Sequence, residues 1–286
     1  QGRRGDFGEI DALVDEVNEV AISTEHHHSA TAGAARGAAA VPKMQGGQRR
    51  LQPVLTLPGD TLEQSMYMVI LTAAATAAAA AVVARAAYLS KWRAAVGVAG
   101  GVVAAELLTG IFHWATDNYG SLSTPVVGFA CAAFQGHHLA PWTISFRSFS
   151  NNVFKIAQAV LPLVLVSAVL LPPGGAAFAA TMLYGQILAQ DFHRWSHTRA
   201  TDLAPWQRWL QRRGLAVSCV EHCLHHRPPF SDRYCILNGM LNPVLDSRPL
   251  LLWRRLEALV FRLTSVEPNC WKGVRGAAVR AQAMAL

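Results

Sequence analysis

The stretch VEHCLHHRPPF, Val220 to Phe230, sets His222, His225 and His226 within five positions. A solvated loop has no need of so many imidazoles, and an apolar core would leave their ring nitrogens short of partners. Neutral imidazole is, however, the commonest protein ligand for a metal ion. Three other groups precede it: HWATD gives His113 and Asp117, QGHH gives His137 and His138, and HRWSH gives His193 and His197. On a helix the i,i+4 pairs His113/Asp117 and His193/His197 each point one way, and so do His222, His225 and His226. Adjacent His137 and His138 diverge by about 100 degrees on a helix. They suit service to two metals, or one ligand beside one support.

The count sets the chemistry. A catalytic zinc takes three protein ligands and a structural one four, often with sulfur. Eight imidazoles with a nearby carboxylate exceed the needs of one ion and fit two. Nitrogen-rich ligation suits iron, zinc, copper or nickel, and iron with open positions activates dioxygen. Such a centre, with external electrons, can remove hydrogen from an unactivated methylene to leave an alkene or an alcohol. Metal-assisted hydrolysis by a bound water is also open, as is a metal-stabilised scaffold without turnover. Asp117 binds metal directly, binds through water, or orients a histidine. Cys219 and Cys223, four apart, share a helix face but read as ordinary thiols; five cysteines without CxxC exclude a disulfide framework or a zinc ribbon. His26, His27 and His28 read as a polar cluster rather than a ligand set.

Composition says what holds these groups. Charged residues are 15% of the 286 and apolar ones 52%, whereas soluble domains carry about a quarter charged residues. The net charge of +7 comes without a basic stripe interleaved with aromatics, so it reads as membrane topology or an anionic surface and not as a nucleic-acid groove. Residues 1–60 read as a disordered, transit or processing segment. The domain is expected over 61–278, with spans near 66–84, 94–115, 156–171 and 176–192, and a tail over 279–286. The expected fold is all-α: an integral membrane helical bundle, four transmembrane helices in two hairpins, with a histidine-rich face at one end. Thr124–Phe134 is too short to cross. Glu106, costly in lipid, should face the interior. The stretch PLLLWRRLEALVFRL should lie on the membrane surface or close the domain. Trp114, Trp142 and Trp195 read as interfacial anchors; Pro141, Pro228 and Pro229 stiffen the histidine loops; Asn118, Asn151 and Asn152 orient histidines or cap loops.

HWATDNYG, FQGHHLAPWTISFRSFSNN, FHRWSHT, EHCLHHRPPFSDRYCILNGMLNPVLD and VEPNCW, in this order, resemble the plastid fatty acid desaturase 4 family, whose wider group includes the plasmanylethanolamine desaturases. The likeness runs from about Leu62 to Lys272. It implies a membrane di-iron desaturase using dioxygen and two electrons, with His113, His137, His138, His193, His197, His222, His225 and His226 as ligands and Asp117 as acidic partner. For the plastid branch it implies a trans-3 double bond in sn-2 palmitate of phosphatidylglycerol, ferredoxin as electron donor, an associated peroxiredoxin, and a chloroplast membrane (thylakoid or envelope) with the histidines toward the stroma. For the other branch it implies an ether lipid and the endoplasmic reticulum. A di-iron lipid hydroxylase shares the chemistry. Carbon 3 lies just below the glycerol, so a metal centre at headgroup level reaches it. Arg147, Lys155 and Arg227 are the headgroup candidates, since guanidinium and ammonium groups bind phosphate; positive-side topology accounts for the same residues.

Overall fold

The computed structural model describes residues 7–31 and 51–286, and every regular element among them is helical. In chain order these are α1 (Phe7–Thr31), α2 (Met66–Leu89), α3 (Lys91–Asn118), α4 (Gly128–His137), a 3-10 turn (Pro141–Phe146), α5 (Phe149–Leu170), α6 (Pro173–Ser196), α7 (Pro205–Arg212), α8 (Cys219–His225), α9 (Asn242–Leu245), α10 (Leu252–Thr264) and α11 (Gly273–Met284). The starts follow helix-capping chemistry. Ser65, Ser148 and Ser218 accept backbone N–H bonds at the heads of α2, α5 and α8, and Pro173 opens α6.

α2, α3 and α5 are long and apolar enough to cross a membrane. α6, expected as the fourth span, is equally long but carries Gln186, Gln190, Asp191, His193 and Arg194 in its second half. Three of the four expected spans are thus helices of this kind, and α6 packs with them as the fourth member of the same bundle. Ala75, Ala79 and Val82 of α2 pack on Val153, Ala157, Val160 and Val164 of α5 and on Ala176, Ala180 and Ile187 of α6. Ile70, Val103, Leu163, Val166 and Val169 stay exposed, as an apolar face turned to lipid would.

Small residues bring α3 and α6 together. A Cβ on Gly97 would stand 2.3 Å from the carbonyl oxygen of Gly174, one on Gly101 2.7 Å from that of Phe178, and one on Gly185 2.5 Å from Ala105 Cβ. This seam is what lets the histidine-bearing ends of the two helices meet. Gly97→Ala should therefore destabilise the bundle by about 1–3 kcal/mol through overpacking. Gly175→Ala, whose Cβ would meet nothing closer than 3.5 Å, should be near neutral. Thermal unfolding in lipid nanodiscs tests the contrast, and equal midpoints would show the seam is not tight.

Outside the bundle the structure departs from expectation in three places. Part of the supposed leader is helix: α1 lays Val14 and Val17 on Cys219 and Cys223 of α8, and Asp11 accepts hydrogen bonds from Ala200 N and Thr201 Oγ1. The side chains of His26, His27 and His28 lie outside the described residues. The supposed tail belongs to α11, where Ala283 packs with Ala258, Cys270 and Trp271. Trp114, Trp142 and Trp195 are buried rather than interfacial; Trp114 stacks on Trp253 and Trp142 donates to the Gln52 carbonyl. The segment after Pro249 becomes α10 and closes the domain, burying Trp253, Glu257 and Ala258.

Candidate metal centre

Two sets of donor atoms converge at one end of the bundle. His137, His193, His197, His222 and His226 form one set; His113, Asp117, His138 and His225 form the other. Within each set one ligand atom per residue lies within 4.8 Å of all the others. The elements explain the division. α4 ends at His137, so consecutive His137 and His138 aim at different sets, as their divergence predicts. α8 ends at His225, and there the expectation of one shared direction fails. His222 and His226 bring their Nε2 atoms to 3.1 Å, whereas His225, its Nδ1 donating to the Asp232 carbonyl at 2.6 Å, turns to Asp117.

The distances fit metal ions. In the histidine-only set Nε2 of His137 lies 2.9 Å from that of His197 and 3.0 Å from that of His193. In the mixed set Asp117 Oδ2 lies 3.2, 3.1 and 3.3 Å from Nε2 of His113, His138 and His225. Ligands held about 2.0–2.1 Å from one ion stand about 3 Å from each other. The donor chemistry agrees. The Nδ1 of His113 donates to the Tyr234 carbonyl at 3.0 Å, leaving its Nε2 a bare lone pair. That atom, His138 Nε2, His225 Nε2 and both Asp117 oxygens are buried without any hydrogen-bond partner among the described residues. Such atoms would be costly unless a cation filled the space between them. Burial, reinforced by neighbouring imidazoles, holds His137, His197, His222 and His226 well below the ordinary imidazole range. They are neutral, which is the ligating form.

A scaffold of residues outside both donor sets fixes these ligands, and two of its members, Tyr234 and Asn269, had no role in the sequence reading. Tyr234 is fully buried; besides its carbonyl bond to His113, its hydroxyl donates to the Phe230 carbonyl at 2.6 Å and accepts from Asn118 at 2.9 Å. Asn269 donates to the Asp117 carbonyl at 2.7 Å, and Asn118 accepts from Cys270 N at 3.0 Å. Glu106 is fully buried as expected, but it serves structure: its Oε2 accepts from Leu237 N and Asn238 N, pinning the loop that follows Tyr234. The VEPNCW ending was the only signal for the Asn269 clasp. Cys219 and Cys223 belong to neither donor set and sit under α1, with sulfurs 3.1 Å apart.

A cavity of about 340 Å³ adjoins the histidine-only set, with His137 and His193 in its wall. Phe129, Phe134 and Phe154 supply an apolar lining, and Arg147, Lys155 and Asp60 a charged one. Arg147 donates to Asp60 Oδ2 at 2.5 Å, to Asn151 Oδ1 at 2.8 Å and to the Thr61 carbonyl at 3.1 Å. The Lys155 ammonium lies over the Phe129 ring. Arg227 is not in this wall; it is more than half exposed and lies 3.9 Å from Glu16 of α1. Asn151 donates to the carbonyls of Thr61 and Glu63, tying down the chain before α2.

Comparison with known proteins agrees with this geometry. Residues 102–271 match the lipid desaturase domain model. The chain is 41% identical to fatty acid desaturase 4-like 1, chloroplastic, of Arabidopsis thaliana over 172 residues, 60% of this chain and 58% of that protein. It is 41% identical to fatty acid desaturase 4, chloroplastic, of the same plant over 60% of this chain and 53% of the relative. With plasmanylethanolamine desaturase 1 of Mus musculus the identity is 32%, over 61% of this chain and 67% of the relative. The match spans a little over half the length of the two plant relatives. No solved structure matches. All the donor residues lie within the matched segment, and the chain belongs to the lipid desaturase family.

Proposed function

We infer that the chain is an oxygen-dependent membrane desaturase that introduces a double bond into a phospholipid chain close to the glycerol, with the two donor sets each holding one iron. The observation that carries this reading is the pair of convergent donor sets, the Asp117-containing one buried and without hydrogen-bond partners among the described residues, beside a cavity lined by phenylalanines and by Arg147 and Lys155. When bound, the irons supply the activation of dioxygen, with electrons from an external donor of ferredoxin type. The chain's own residues do the rest. His137 and His193 bring the metal set to the cavity wall, Phe129, Phe134 and Phe154 hold the chain away from water, and Arg147 with Lys155 meets the phosphate. His113 and His225, each locked by a carbonyl on Nδ1, keep Nε2 aimed inward.

The substrate favoured is phosphatidylglycerol carrying sn-2 palmitate, giving the trans-3 product, in a chloroplast membrane with the histidine end toward the stroma and a peroxiredoxin as accessory. Identity to chloroplastic relatives above that to the plasmanylethanolamine enzymes supports this choice. The second reading, desaturation of an ether lipid, is supported by the mouse relative's name. Lipid profiling of cells with and without the chain decides between them: gain of a trans-3 acyl product supports the first, gain of a vinyl ether the second. About two irons per purified chain should accompany either, while one zinc and no lipid product would mean a scaffold.

Arg147→Ala and Lys155→Ala should each raise the KM for phosphatidylglycerol about tenfold, the scale of one lost charged hydrogen bond. Arg227→Ala should leave it unchanged, because Arg227 lies outside the cavity wall. Unchanged KM values for the first two variants would remove the cavity from headgroup binding.

A further inference from the structure

Asn152 of α5 and Gln190 of α6 line the same cavity and belong to neither donor set. Asn152 Nδ2 donates to the main-chain carbonyl of Gln190 at 3.0 Å, and Gln190 Nε2 donates to Asn152 Oδ1 at 3.2 Å. A main-chain carbonyl only accepts, so the first bond fixes which end of Asn152 is nitrogen, and the second then fixes Gln190. Each primary amide carries two N–H groups, and each uses one here. The other N–H of each side chain meets no acceptor among the described residues, and both residues are partly open to the cavity.

Position gives these donors meaning. Asn152 and Lys155 are three apart on α5, and Gln190 and His193 three apart on α6, so each pair shares a helix face. The two unused N–H donors therefore lie one helical turn from a cation on α5 and one turn from a metal-binding imidazole on α6. A diacyl phospholipid likewise carries its ester carbonyl within a few bonds of both the phosphate and the first methylenes of the chain. A carbonyl oxygen accepts two hydrogen bonds; an ether-linked chain has no carbonyl to offer. We propose that Asn152 and Gln190 bind the ester carbonyl oxygen of the acyl chain and so select ester-linked over ether-linked lipid. This rests on the cavity being the lipid site of the desaturase described above.

The test compares dipalmitoyl phosphatidylglycerol with its dihexadecyl ether analogue, identical in headgroup and chain length. Binding to the full-length metal-loaded protein is measured without oxygen, so that no turnover intervenes. The wild-type protein should bind the ester at least about tenfold tighter, the scale of one or two neutral hydrogen bonds. A carbonyl-13C ester should show its infrared stretch shifted to lower frequency when bound. Gln190→Met and Asn152→Leu should lower ester affinity to that of the ether, leave ether affinity unchanged, and abolish the infrared shift. Equal wild-type affinities would overturn the proposal without needing any variant to fold. A variant that loses both lipids equally, beside a wild type without the infrared shift, would show the amide pair to be only a tie between helices. If the chain makes an acyl product yet binds ester and ether alike, this inference alone fails. If it binds neither lipid, or converts an ether lipid to a vinyl ether, the acyl desaturase reading fails with it.

Discussion

His137→Ala and His138→Ala, one peptide bond apart, are each expected to lower the iron content from about two per chain to about one, but by emptying different positions. His137 joins the five-histidine set and His138 the set that contains Asp117. Turnover should fall by more than about a hundredfold in both, since even groups that merely orient ligands are worth 10–100-fold. Adding Asp117→Ala separates the two. On His138→Ala it removes a second ligand from a position already lost, so iron should stay near one per chain. On His137→Ala it should bring the content toward zero. Metal analysis reads this without reference to activity. A His137→Ala/Asp117→Ala protein that kept a full iron would show that the donors are not divided as the geometry divides them.

That division marks the limit of what could be read from residue order. Four clusters of histidine near the ends of apolar helices singled out the residues that the two donor sets bring together, because so many imidazoles at such positions have few other uses. Residue order also set His137 and His138 apart, as serving two metals or as one ligand beside one support, since neighbouring residues on a helix cannot face one way; the structure puts them in different donor sets. Spacing misread His225, whose direction depends on the Asp232 carbonyl beyond the end of α8, a contact that periodicity does not encode. The bundle was legible from its apolar runs, with ends shifted by a few residues. The fourth span was less plain than the other three, because α6 combines spanning length with a polar half that lines the cavity beside the histidine-only set. α1 was missed for a different reason. Its segment is charged and rich in small residues, and only the docking of Val14 and Val17 on α8, with Arg199 beside Asp11 and Asp15, gives it a place. The buried tryptophans were misassigned because amphipathic rings near helix ends suit a lipid interface and a protein core alike.

Glu257→Ala is expected to be the most damaging change outside the donor sets. Glu257 is fully buried on α10 and takes Arg254 Nη2 at 2.5 Å, Trp271 Nε1 at 2.8 Å and Cys270 Sγ at 3.4 Å. Burial raises its carboxyl above the usual range while Arg254 and Trp271 pull it back. Removing it strands a guanidinium that is itself 4% exposed; breaking a buried pair in this way costs about 3–5 kcal/mol. Arg254→Met with Glu257→Leu should recover much of that, because an apolar pair of similar volume leaves no charge unpaired. The functional consequence follows from geometry. Trp271 and Cys270 adjoin Asn269, which donates to the Asp117 carbonyl, and Cys270 N donates to Asn118. Loosening this clasp should therefore weaken the Asp117-containing position before the five-histidine one. Chelator titration of Glu257→Ala, at a temperature where it is still folded, should show one iron leaving about 10–100-fold more readily than in the wild type and the other unchanged. Parallel loss of both would mean that Glu257 supports the fold as a whole and has no particular hold on Asp117.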